Sequence, residues 1–75
     1  MKPAQRVTAI IEREADGFVA LCPELDIASQ GASIEEARAN LIEALTLFFE
    51  TASPSEVTRR FHHEVFVTQL EVPVG

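Results

Sequence analysis

The sequence predicts an α+β domain in the order β-β-β-α-β: a three-stranded antiparallel meander, one main helix and a fourth strand. Three observations carry this. A β-branched run, "QRVTAIIERE", meets an Asp-Gly turn and then an apolar run, "FVALC". A Ser-x-x-Glu signature opens a long segment whose apolar residues recur at spacings of three and four. A second β-rich run, "RRFHHEVFVTQLEV", follows that segment.

The first strand is expected over Gln5–Glu14, where Val, Thr and Ile dominate and the end is charged. Asp16-Gly17 supplies the turn, because glycine accepts positive φ. Phe18–Cys22 returns, and Pro23, which has no N–H to donate, ends or edges that strand. Glu24-Leu25-Asp26 turns the chain again, and Ile27–Gln30 is a short third strand. Gly31 breaks the pattern.

Ser33 and Glu36 form the capping box of a helix of about five turns, near Ile34–Thr51. Its apolar stripe is Ile34, Ala37, Leu41, Ala44, Leu45 and Phe48, widened by Ile42 and Phe49. Arg38 flanks the stripe and is expected to lay its stem along it. Glu35, Glu36, Asn40, Glu43, Thr46 and Glu50 take the polar side, and Leu47 is an apolar residue on that outer face. Ser53, Pro54 and Glu56 suit the cap of a second, very short helix.

The last strand is expected near Phe61–Val72, stopped by Pro73. Phe61, Val65 and Val67 point to one side, and Phe66, Leu70 and Val72 to the other. The first strand likewise has Val7, Ala9 and Ile11 on one side and Ile10 on the other. One helix covers one sheet face, so a sheet that is apolar on both expects a second cover. Another subunit is the expected cover, with Phe61, Val65, Phe66, Val67 and Leu70 as the self-association set.

Length supports the same expectation. Seventy-five residues make one domain, spanning 1–75, with 47% apolar residues, as in folded chains. A chain this short buries only roughly 60% of its unfolded surface, and its core alone supplies ~3–5 kcal/mol. Cys22 is the single cysteine, so no intrachain disulfide exists. No Cys/His spacing matches a zinc site. Oligomerisation is the support that remains.

Charge narrows the partners. Twelve acids against six bases give a net charge of −6, and the bases form no dense stripe. Nucleic-acid binding depends on neutralising phosphates with Lys and Arg, so none is expected of this chain by itself. An acidic surface suits a basic protein partner; plain solubility accounts for it equally well. The sequence lacks a signal-peptide apolar run and any 18-residue apolar stretch. A cytoplasmic location is expected, in keeping with the free thiol.

Chemistry is weakly signalled. Cys22 sits in "VALCP", an apolar strand end that favours packing over nucleophilic activation. His62 and His63 are neighbours in a strand and so project to opposite faces, which prevents joint chelation. Asp16, Glu24 and Asp26 are acids that turn and capping chemistry explain. "SQGAS" lacks the lysine and spacing of a phosphate loop, and Ser29 has no evident base. No catalytic residue, cofactor or metal is expected.

The stretch Asp16–Leu45 resembles the core of HicB-type antitoxins and the related short HicB-like proteins. The resemblance rests on Asp16-Gly17 followed by an aromatic, Pro23-Glu24-Leu25, Ser29-Gln30-Gly31, and the series Glu35-Glu36-Ala37, Asn40, Glu43-Ala44-Leu45. It implies a partial ribonuclease-H-like fold without ribonuclease activity, and dimers or higher oligomers. It also implies a non-catalytic antitoxin that binds and neutralises a small, basic, messenger-RNA-cleaving toxin. Many such proteins carry a C-terminal DNA-binding module; only three residues follow Val72 here, so none is expected. The candidate partner contacts are Glu24, Asp26, Glu35, Glu36 and Glu43. The alternative is an orphan oligomeric HicB-like module, which binds another regulator or ligand and has no toxin. A small acid-and-magnesium hydrolase is the third reading.

Overall fold

The structure is a computed structural model that describes residues 4–75. Its elements are β1 (Ile10–Glu14), β2 (Gly17–Cys22), β3 (Ile27–Gly31), α1 (Ile34–Thr51) and α2 (Pro54–Arg60). The strands form one antiparallel sheet in the order β1-β2-β3.

The β1–β2 turn holds its positive φ at Ala15 (54°), not at Gly17. Gly17 instead pairs with Glu14 inside the ladder. A Cβ on it would stand 2.8 Å from the Gly31 carbonyl oxygen, so close approach, not turn geometry, requires glycine there. Gly31 is tighter still: a Cβ would meet the Ala37 nitrogen at 2.5 Å, where the start of α1 crosses β3.

β1 begins at Ile10, five residues later than the expected Gln5. The reason lies across the ladder. Ile10 pairs with Leu21, so continuation would bring Thr8 opposite Pro23, which has no N–H. Thr8 turns its N–H to the Glu24 carboxylate instead, at 3.0 Å to each oxygen.

α1 keeps the expected limits. Ser33 Oγ accepts the Glu36 N–H at 3.1 Å, and Glu36 Oε1 accepts the Ala32 N–H at 2.6 Å, so the cap is reciprocal. Ala37, Leu41 and Leu45 are its buried residues, whereas Ile34, Ile42 and Phe49 at the margins of the stripe are exposed. α2 is the short helix expected after Ser53, whose hydroxyl accepts the Glu56 N–H.

The core is Ala20, Cys22, Leu25, Ala37, Leu41 and Leu45. Val7, Ile11, Phe18, Ile27, Phe48 and Phe61 pack against it. Ala20 and Cys22 therefore face α1, and Val19 and Leu21 face the other way with Ile10. α1 lies chiefly over β3, less over β2 and least over β1.

The expected fourth strand does not form in this chain. Beyond Arg60 the described residues contain no helix or strand. The segment is anchored at its root, where the His62 N–H donates to the Glu24 carbonyl at 2.7 Å. Phe61 packs on the core and stacks on His63, with ring centroids 4.5 Å apart. Past Val65 every residue is exposed. A strand needs a neighbour to take its N–H and C=O groups, and among the described residues none of the three strands pairs with this segment.

Candidate functional site

The surface divides into an acidic part and an apolar part. Of the five candidate acids, Glu24 stands apart. It is only 7% exposed, and its carboxylate accepts the Thr8 N–H, the Thr8 hydroxyl at 2.7 Å and the Cys22 thiol at 3.5 Å. Burial by itself raises its pKa, but the bonds donated by Thr8, its own backbone N–H and Cys22 outweigh that and hold it below the usual glutamate value. With its backbone carbonyl bound to His62, Glu24 is a strut. It ties the segment before β1 and the root of the C-terminal segment to the β2–β3 turn, and its carboxylate is engaged by Thr8 and Cys22 of its own chain.

Asp26, Glu35, Glu36 and Glu43 are exposed. Asp26 has φ of 55°, which an Asx side chain tolerates, at the end of the β2–β3 turn. Glu36 is engaged in the helix cap. Glu36 and Glu43 are seven residues apart and share one side of α1; Asn40 at its edge donates to the Gln30 carbonyl at 2.8 Å.

Cys22 is fully buried, and burial first, then the neighbouring Glu24, push its thiol above the ordinary value, the reverse of nucleophile activation. Leu25 and Glu24 are the buried residues that sequence reasoning left in a turn. For Leu25 the signal is that "PELD" places an apolar side chain between two acids just after the strand; for Glu24 the sequence carries none. Among the described residues no group of three or more His, Cys, Asp or Glu is placed to hold a metal ion, and every buried side-chain polar atom has a hydrogen-bond partner. Among them too, no helix is long and apolar enough to cross a membrane.

The apolar part lies on the C-terminal segment and beside α1. Phe66 is 87% exposed and Leu70 82%, and Val67, Val72 and Val74 are also exposed. Of the self-association set, Phe66, Val67 and Leu70 are thus free on the surface, Val65 is half-buried, and Phe61 is committed to the chain's own core. A groove of about 610 Å³ runs between the segment before β1 and α1, lined mainly by Ala4, Gln5, Val7, Ile42, Leu45 and Phe49. Its lining comes from α1 and from the segment before β1, with no residue of β1 itself.

Comparison of the chain with family profiles, curated proteins and solved structures finds no match.

Proposed function

We propose that this chain is a non-catalytic protein-binding domain that self-associates. As in the HicB-type antitoxins it resembles, it would bind and neutralise a small basic protein that cleaves messenger RNA. The chain has a three-stranded meander followed by a helix; in this reading they are the first four elements of a partial ribonuclease-H-like fold, and residues 61–72 would supply its fourth strand on assembly. The observation that carries the reading is the run of large apolar side chains left in water beyond Arg60, on a chain whose core, among the described residues, is six buried apolar side chains. Contiguous exposed apolar surface of this kind marks a protein-interaction site.

The basic partner is assigned by charge. A net charge of −6, with Asp26, Glu35, Glu36 and Glu43 exposed, attracts a cationic protein and steers its approach. The setting in which the two would meet is the cytoplasm.

Co-expression with any small basic protein found encoded next to this chain tests the reading. Co-elution and rescue of growth are expected, both weakened by joint Asp26→Lys, Glu35→Lys and Glu43→Lys substitution. Separate elution with no rescue would reject the antitoxin role. It would leave an orphan oligomeric module, which the apolar segment also favours.

A further inference from the structure

We infer that residues 64–74 form the fourth strand of a second copy of the chain: two copies exchange C-terminal arms, each completing the other's sheet at β1. This rests on the self-association stated above and specifies its mechanism.

Three features of the structure converge on it. The first is the arm's pattern. Phe66, Leu70, Val72 and Val74 alternate with Val67, Gln69, Glu71 and Pro73, so one side is apolar except for Thr68. That is the pattern of a strand with one buried face, yet the four apolar residues are between 69% and 90% exposed. The second is a vacancy of the right kind. β1 has β2 on one side only, so its outer edge offers unpaired backbone groups. Because α1 sits over β3 and β2, the space beneath its Ile42 and Phe49 flank has no strand under it. A strand added outside β1 and continued along the segment before it would bring its apolar side chains to that groove. Ile42 and Phe49, themselves exposed, would then be covered.

The third is direction. The chain's radius of gyration is 14.5 Å, against about 11 Å for a compact domain of this length. Its long axis is 50 Å while the other two are 28 and 19 Å. The arm stands away from its own body. Eleven extended residues reach about 36 Å, enough to span the edge of a neighbouring sheet.

Area favours a copy as the occupant. At roughly 150 Å² for Phe and about 60–120 Å² for each aliphatic side chain, one arm hides roughly 300–500 Å². Two arms and their two receiving grooves together bury roughly 1,300–2,000 Å², which is the range of specific stable interfaces. The exchange is reciprocal, so it closes at two copies and leaves no arm bare.

The test is isotope-filtered NMR on an equal mixture of labelled and unlabelled full-length chain, with the molecular mass measured on the same sample. A dimer in which Phe66 and Leu70 show nuclear Overhauser contacts to Ile42 and Phe49 of the other copy is expected. Phe66→Asp combined with Leu70→Asp should then abolish the dimer while the helical circular dichroism of α1 persists. A dimer whose arm contacts only its own chain, or contacts nothing, would overturn the exchange but leave self-association standing. A monomeric mass would overturn both.

Discussion

Glu24→Gln is the substitution that reports most directly on how the domain is held together. The glutamate is 7% exposed and accepts three bonds from Thr8 and Cys22 through its carboxylate. Glutamine keeps the shape but has one acceptor oxygen, and its amide N–H₂ group faces a donor. Hydrogen bonds to a charged group are worth about 1.5–3 kcal/mol each against about 0.5–1.5 kcal/mol for neutral ones; the Thr8 N–H keeps the remaining oxygen, 3.0 Å away on either side, but loses the charge. A loss of about 2–3 kcal/mol at pH 7 is expected. A 75-residue domain has roughly 4–11 kcal/mol in total, so this is a large fraction.

The pH dependence fixes the cause. The folded pKa of Glu24 lies below its unfolded value, so its contribution is complete above the unfolded value near ~4.3. It fades as pH falls through the folded value. Urea titrations of both proteins at a series of pH values should therefore show a gap that is wide at pH 7 and narrows only below about pH 4. A gap under ~0.5 kcal/mol at pH 7, which is the range of ordinary surface changes, would refute the strut. So would a gap indifferent to acid.

Other perturbations follow the same geometry. Gly31→Ala forces a Cβ against the Ala37 and Glu36 backbone, which cannot yield like a flexible side chain; a loss of about 1–3 kcal/mol or more in denaturant unfolding is expected. Ala15→Gly relieves a positive φ at a non-glycine turn residue and should raise stability by up to about 1 kcal/mol in the same assay. The Cys22 thiol should react with an aromatic disulfide reagent only as fast as the domain unfolds, and prompt labelling of native protein would contradict its burial.

Much of the architecture is legible in the residues because its causes are local. Ser33 and Glu36 announce the start of α1, and the 3-4 spacing of Ala37, Leu41 and Leu45 selects its buried face. Where causes are long-range, the sequence falls short. Gly17 marks the hairpin but for another reason: it is crowded by Gly31, fourteen positions on. The start of β1 depends on a carboxylate sixteen residues away that takes the Thr8 N–H, and on a proline that has no N–H to give the Thr8 carbonyl. Glu24 reads as one more exposed turn acid because nothing in "PELD" reveals the Thr8 hydroxyl waiting for it. The alternation in residues 61–72 is plain, but whether it becomes a strand depends on an edge to join, and a linear pattern does not say whose edge. The apolar candidates Phe66, Val67 and Leu70 are exposed on the surface while Phe61 belongs to the core, a split that follows from where His62 is pinned to Glu24.

The central claim is that this small domain is incomplete alone and binds through the surface it leaves uncovered. Light scattering on the purified full-length chain at micromolar concentration tests it most directly. A mass of about twice 8.3 kDa, or a higher even multiple, is predicted; a well-folded species that stays at 8.3 kDa across the concentration range would contradict it.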